Sequence, residues 1–233
     1  MKPVNKGNAQ RSYRKYRAAK PDLVEKLGAF CSYCEIGSHA NSLHVEHMYP
    51  KDPHPEKECE WENFLLSCPT CNSYKNLHLG NFPQSDLEAR FLWPHLDNTS
   101  AAFDYFDDGR VEICGGLEPA VERAAEATRE MVGLMKSPAV AVRYQDVGVA
   151  YDGITGRREM WEIATDELND YLESPIDRRA ASISKRAARM GFFSVWMNVF
   201  RERPEVVREL VRAFKADASC FDENCNAVRK GRL

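Results

Sequence analysis

Between Cys31 and Asn76 the chain reads Cys31-Ser32-Tyr33-Cys34, then Leu43-His44-Val45-Glu46-His47-Met48-Tyr49-Pro50, then Trp61-Glu62-Asn63-Phe64-Leu65-Leu66-Ser67-Cys68-Pro69-Thr70-Cys71-Asn72-Ser73-Tyr74-Lys75-Asn76. Two Cys-x-x-Cys pairs thus bracket an acid-histidine pair. Four thiolates in that arrangement can hold a tetrahedral zinc, which would pin both ends of a small hairpin-plus-helix unit whose middle carries the reactive groups. The rest of the chain is read around this block.

The 233 residues allow one large domain or two modest ones, and 43% hydrophobic residues is enough for a real core. The first ten residues lack the apolar core of a signal peptide. The longest apolar stretch, Met190 to Phe200, is interrupted by Ser194 and Asn198 and is too short to span a bilayer. The expected location is therefore the cytoplasm, with no membrane partner. In that reducing compartment paired Cys-x-x-Cys motifs are better explained by metal than by disulfides. Cys220 and Cys225 are spaced too loosely for the usual ligand pair and are expected to be free or buried thiols, and Cys59 and Cys114 are left over.

The formal net charge is −3, but the charge is unevenly placed. Residues 1–20 carry Lys2, Lys6, Arg11, Arg14, Lys15, Arg17 and Lys20 with no acid among them, whereas Asp52, Glu56, Glu58, Glu60 and Glu62 crowd one short loop. Such a basic arm either lies along a phosphate backbone, releasing counterions, or forms a solvated helix face.

The apolar spacing of Leu23, Val24, Leu27 and Phe30 predicts a helix over 21–30 that delivers the chain to Cys31. A short strand is expected over 43–48 and an extended loop over 50–55. Asn63 to Ser67 should then lead into a helix starting near Cys68. Phe103 to Ile113 alternates around Asp107-Asp108-Gly109, a hairpin signal. Helices are expected over 118–135, 160–172, 177–190 and 192–214, with Trp161, Phe193 and Trp196 in their core and a loop-like tail from Lys215. The expected fold class is α+β, with a basic arm and helix over 1–30, a catalytic unit over 31–100 and a mainly helical region over 101–233.

Hydrolysing a phosphodiester needs a base to deprotonate water, a cation to neutralise charge on phosphorus and the leaving oxygen, and groups that hold both in line. His47 offers a base near neutral pH, Glu46 an oxygen for a hard cation such as Mg²⁺, and Asn72 a second oxygen. Asn63, on the opposing strand, is expected to accept the ring N–H of His47 and so fix its tautomer.

A Cys-x-x-Cys, an acid-His-x-x-Pro, an Asn-hydrophobic pair and a Cys-x-x-Cys-Asn-x-x-Lys in this order resemble the HNH endonuclease family, whose site is a ββα-metal fold. The resemblance implies that His47 is the general base, that Glu46 and Asn72 bind a catalytic Mg²⁺ or Mn²⁺, and that Asn63 orients His47. It also implies that Cys31, Cys34, Cys68 and Cys71 hold structural zinc and that Lys75 meets substrate phosphate. Glu46 stands where Asp is frequent in the family and Asn76 where Gly is frequent; neither change removes a functional group. Beyond the nuclease unit, the Phe103–Ile113 hairpin, the helix after it and the tail Ala218 to Asp222 look like the C-terminal part of HNH proteins of bacterial anti-phage systems, including Septu and retron-associated nucleases. In those systems the nuclease pairs with an ABC/SMC-type ATPase, which would make the helical half a docking platform; the alternative is a helical scaffold that only buttresses the nuclease unit.

Two other readings are in play. His44-Val45-Glu46 followed by Cys68-x-x-Cys71 imitates a zinc-dependent nucleobase deaminase, but Ser67 stands where that signature has Pro, and Cys31, Cys34, His47 and Asn72 would have no task. A catalytically silent zinc module could instead grip DNA or a partner through the basic arm, with the cysteines serving folding alone.

Overall fold

A computed structural model of the chain describes residues 1–79, 87–135, 143–144, 147–148 and 153–233. A single turn of 3-10 helix, Tyr16–Ala19, runs into α1, Lys20–Leu27, which buries Leu23 and Leu27. The helix ends at Leu27 rather than near Phe30. Gly28 adopts φ +76, and a Cβ there would lie 2.5 Å from the Phe30 ring, so the chain turns sharply into a bridge between Phe30 and Gly37.

Strands β1, His44–His47, and β2, Phe64–Ser67, pair antiparallel with His44 opposite Ser67 and His47 opposite Phe64. The following α2, Pro69–Leu79, completes the ββα order. Pro69 occupies the first helical position, where no backbone N–H is needed, and Cys68 serves as the cap: its carbonyl accepts from the Asn72 amide at 3.0 Å and its Sγ from the Cys71 amide at 3.4 Å. The expected extended loop over 50–55 is tighter than that, since it turns at residues 51–53 and enters a 3-10 turn at Pro55–Lys57.

Beyond α3, Leu87–Arg90, the hairpin of β3, Phe103–Tyr105, and β4, Val111–Ile113, closes through Asp107-Asp108-Gly109, with Gly109 at φ +84. Next come α4, Pro119–Met131, the short antiparallel pair β5, Arg143–Tyr144, and β6, Val147–Gly148, then α5, Gly153–Glu173, and α6, Asp177–Met190. The stretch 192–214, expected as one helix, is two: α7, Phe193–Val199, and α8, Pro204–Ala213. Pro204 has no N–H to continue the ladder and disfavours helical geometry at Arg203, so a new helix starts there. Its strongly one-sided face buries Val206, Val207, Leu210 and Val211.

One hydrophobic core runs from Leu23, Phe64 and Leu66 to Trp196, Phe200 and Phe214. Trp161 lies at its edge, partly buried, while Phe193 and Trp196 are fully inside, and Cys220 is buried with a free thiol. The tail from Lys215 is irregular but tied down. Asn98 donates from Nδ2 to the carbonyls of Cys220 and Val228, and Arg232 pairs with buried Asp97 at 3.1 Å.

The basic arm departs from expectation at its start. Lys2 and Lys6 are neither on a phosphate backbone nor solvated; both are buried, Lys2 donating to the carbonyls of Leu27 and Phe214, and Lys6 to those of Trp61, Glu62 and Phe64. Met1, Pro3 and Val4 are buried as well, so this segment threads through the core, and the ammonium groups are satisfied by backbone carbonyls.

The helical part meets the first cysteine pair directly. Glu35, next to Cys34, accepts from the Ser194 amide at 2.8 Å and the Ser194 hydroxyl at 2.6 Å, capping α7, while its carbonyl takes the Phe192 amide. Ile36 forms a bridge to Gly191 at the end of α6. No helix among the described residues is long and apolar enough to cross a membrane.

Candidate nuclease site

The two cysteine pairs converge. Cys31 and Cys34 lie in the turn after α1, Cys68 and Cys71 at the start of α2, and their four Sγ atoms all lie within 4.8 Å of one another. Cys34 Sγ and Cys68 Sγ are 3.8 Å apart. A tetrahedron with Zn–S of about 2.3 Å has edges of about 3.8 Å, so the cluster fits zinc, and the separation is far beyond a disulfide bond. Thiol hydrogen bonds from Cys31, Cys34 and Cys71 hold the Cys68 group far below the ordinary thiol range, the thiolate character a cation would neutralise. His44 takes no part in this cluster, which removes the ligand set a deaminase needs.

Next to the cluster is a cleft of about 680 Å³, lined by His44, Glu46, His47 and Lys51 from β1 and its loop, Asn72, Lys75 and Asn76 from α2, and Tyr16, Arg17 and Lys20 from the N-terminal arm. Arg17 and Lys20 of the arm therefore do reach the site, although Lys2 and Lys6 do not.

Within the cleft the His47 ring is held on three sides. Tyr16 and Phe64 meet it edge-on, with centroids at 4.9 and 5.3 Å, and Nε2 lies 2.9 Å from the Glu58 carbonyl. A carbonyl only accepts, so the neutral ring carries its proton on Nε2 and leaves the Nδ1 lone pair available. The tautomer is thus assigned from the partner.

The Asn63–His47 hydrogen bond expected from the sequence is not formed. Buried Asn63 instead accepts the Tyr49 amide at 2.7 Å and donates to the carbonyls of Tyr49 and Lys57, both at 3.0 Å. It staples the two ends of the loop between β1 and β2, and that loop supplies the Glu58 carbonyl. An amide side chain with one acceptor and two donors matches a loop's backbone better than a single ring N–H.

Glu46 is 1% exposed. Its Oε2 accepts from the Tyr33 hydroxyl at 2.6 Å, and its Oε1 lies 2.5 Å from Lys75 Nζ as an ion pair without accepting a directed hydrogen bond. Lys75, also buried, donates to the His47 carbonyl as well. Its ammonium is thus engaged inside the site, not presented as the free phosphate contact expected from the sequence. Glu46 and Asn72 both line the cleft, a carboxylate and an amide of the hard-oxygen kind that suits Mg²⁺ or Mn²⁺, with Glu46 Oε1 held against the Lys75 ammonium. Asn72 Nδ2 lies 3.5 Å from His44 Nδ1, a contact that does not use the amide oxygen.

Three contributors escaped sequence reading: Tyr33, Tyr16 and the carbonyl of Glu58. His44 was legible in principle, since residues two apart on a strand share a face and Glu46 lies at that spacing. Tyr33 and Tyr16 left no such signal, because their contacts cross between segments that only the fold brings together.

Comparison with known proteins agrees with this geometry. Residues 31–77 match the family model described as HNH endonuclease. The Septu protein PtuB of Bacillus thuringiensis is 38% identical over 58 residues, a segment covering 24% of this chain and 23% of that protein. The N-terminal ββα unit with its four-cysteine cluster is thus an HNH domain, and a mainly helical region follows it.

Proposed function

We propose that this chain, with an HNH domain at residues 31–77 as its chemical centre, is a metal-dependent endonuclease that hydrolyses DNA phosphodiester bonds. The observation that carries the proposal is the His47 imidazole, locked by the Glu58 carbonyl so that Nδ1 is free as a base at the wall of a cation-rimmed cleft. His47 Nδ1 takes a proton from water, the resulting oxygen attacks phosphorus, and the P–O bond to the leaving oxygen breaks. Glu46 and Asn72 would hold the divalent ion, Mg²⁺ or Mn²⁺, which supplies neutralisation of charge on the phosphate and the departing oxygen. Arg17, Lys20 and Lys51 line the same cleft and would take the flanking phosphates. Cys31, Cys34, Cys68 and Cys71 would hold zinc in a purely structural role, as a closed four-thiolate set leaves no open position for substrate.

The likeness to a Septu protein over the HNH segment supports a place in anti-phage defence, with the helical region from residue 101 as the docking platform for an ABC/SMC-type ATPase. Location in the cytoplasm, with its reducing poise, is consistent with eight free thiols.

The test is nicking of supercoiled plasmid by zinc-loaded protein with Mg²⁺ or Mn²⁺, wild type against His47→Ala. Cleavage lost in the variant, with fold and DNA affinity retained, is expected. Equal cleavage by His47→Ala removes the assigned base. Absence of cleavage by folded wild type, both alone and with the partner ATPase, would make the chain a binding module instead.

A further inference from the structure

Tyr33 stands between Cys31 and Cys34, so its backbone belongs to the thiolate turn, yet its side chain reaches from that turn to Glu46. The ring is 0% exposed and its hydroxyl reaches Glu46 Oε2 at 2.6 Å. A phenol titrates at about pH 10 in the ordinary case, so at neutral pH this hydroxyl is a neutral O–H donor. The turn itself is anchored to the sheet. The Ser32 amide donates to the Leu66 carbonyl at 2.8 Å and the Leu66 amide to Ser32 Oγ at 3.3 Å, and Leu66 is the cross-strand partner of Val45, the neighbour of Glu46.

One oxygen of Glu46 is therefore fixed by a neutral donor carried on the thiolate turn, while the other has no hydrogen-bond partner and faces the only cation beside it, Lys75, among the described residues. A carboxylate that binds a metal through one oxygen is commonly oriented by a hydrogen bond to the other, and loss of such a partner weakens metal affinity or activity. A phenylalanine would fill the same space, so packing alone does not require the hydroxyl.

We propose that Tyr33 is a positioning residue that holds Glu46 in the orientation for the divalent ion, so that closure of the thiolate turn around zinc sets the affinity of the second, exchangeable metal. The proposal rests on Glu46 being a ligand of that metal, as inferred above. It makes the zinc cluster more than a staple: the same turn that closes around zinc delivers the hydroxyl.

The test is Mn²⁺ binding to the full-length, zinc-loaded chain, followed by calorimetry or by the spin resonance of free Mn²⁺, for wild type, Tyr33→Phe and Glu46→Gln. Zinc content and melting are measured on each sample. Tyr33→Phe is expected to keep its zinc and weaken Mn²⁺ binding by about 10- to 100-fold, with cleavage recovered as Mn²⁺ is raised. Unchanged affinity in Tyr33→Phe, with affinity lost in Glu46→Gln, overturns the role of Tyr33 and leaves the metal assignment standing. Unchanged affinity in both overturns the assignment of Glu46 itself. Should Tyr33→Phe fail to hold zinc, Ser32→Ala replaces it, because it frees the thiolate turn from the Leu66 amide while leaving the phenol and the carboxylate intact. Wild-type Mn²⁺ affinity in zinc-loaded Ser32→Ala then overturns the proposal that the turn sets this affinity, and a measurable loss supports it.

Discussion

His47 Nε2 lies 2.9 Å from the backbone carbonyl of Glu58, so the tautomer of the candidate base is set by a loop and not by a neighbouring side chain. That loop is closed by Asn63, which spans Tyr49 and Lys57 with three hydrogen bonds. Asn63→Ala should therefore lower stability by about 1–3 kcal/mol, the usual result of leaving buried backbone groups unsatisfied. It should also reduce cleavage at temperatures where the variant is still folded. His47→Ala should instead reduce cleavage by roughly 10²- to 10⁴-fold with little change in melting. Paired melting and nicking assays separate the two, and full activity in folded Asn63→Ala would show that the loop does not aim the ring.

The Glu46–Lys75 pair, with side chains 0% and 2% exposed, leads to a second expectation. Removing one partner of a buried ion pair leaves an uncompensated charge and costs about 3–5 kcal/mol. Lys75→Met should melt well below wild type in metal-free buffer. Mn²⁺ should then raise its melting temperature more than it raises that of wild type, since the ion takes over the charge balance at Glu46 and a ligand bound only to the native state stabilises it by mass action. A variant whose melting ignores Mn²⁺ would separate Glu46 from the metal.

The four-thiolate cluster and the exchangeable ion should respond differently to chelation. Zinc binding in small domains supplies folding free energy on the order of 10 kcal/mol, so Cys31→Ala or Cys71→Ala should unfold the N-terminal unit. Mild chelation of wild type should stop cleavage while zinc content and circular dichroism are unchanged. Simultaneous loss of zinc, fold and cleavage at the lowest effective chelator concentration would mean that only one metal matters.

Much of this site was legible before any coordinates. The order of the two cysteine pairs, Glu46-His47, Asn63 and Asn72 placed the ββα unit, because each residue type is confined to a few positions by its own chemistry, and those positions recur at fixed offsets along a hairpin and a helix. The helices of the second half were legible from apolar spacing, though α5 starts at Gly153 ahead of the expected Met160, α4 stops at Met131 short of the expected Met135, and Pro204 divides what periodicity alone joins. The partners of the site residues were not legible. Asn63, Lys75 and Tyr33 each have several acceptors or donors within reach of a plausible fold, and the choice depends on loop closure and burial, to which periodicity is blind. Lys2 and Lys6 failed for a related reason: charge argues for solvent, and only the carbonyls of Leu27, Phe214, Trp61, Glu62 and Phe64 reveal a dry alternative.

Those two lysines also give the chain a pH dependence. Burial lowers Lys2 and Lys6 from 10.5 to about 7, with Glu35 and Glu62 respectively opposing the shift. Between those values the unfolded chain binds protons that the folded chain does not, so these two lysines make stability rise with pH from about 7 upward and contribute no slope below. From about pH 9 an opposing slope sets in, because Cys114, Cys220 and Cys225, and at higher pH buried Tyr105, hold protons in the folded state that the unfolded chain releases. Melting temperatures between pH 7 and about 8.5 should therefore climb for wild type and climb less for Lys6→Met. A wild-type melting temperature that falls over this range would show that the carbonyl cages keep both ammonium groups charged.

The contact between the helical region and the thiolate turn depends on a residue with no side chain. Gly191 has φ +91 and ψ −161, backbone geometry that is essentially restricted to glycine. A Cβ there would stand 2.4 Å from the Gly37 nitrogen and 2.8 Å from the Glu35 carbonyl oxygen, both backbone atoms that cannot swing aside. Gly191→Ala should lose roughly 1–3 kcal/mol from backbone strain alone, and the clash adds to that by pushing the bridge at Ile36 open. Because Glu35 directly follows Cys34, the displacement should be felt at the cluster as faster zinc release to a colorimetric chelator. Gly37→Ala is the matched control: its added Cβ would meet its nearest neighbours at 3.4 Å, an ordinary contact, so melting and zinc release should stay near wild type. Equal zinc release from Gly191→Ala and Gly37→Ala, with Gly191→Ala less stable, would confine the role of Gly191 to the helical region and show that the thiolate turn holds its shape unaided.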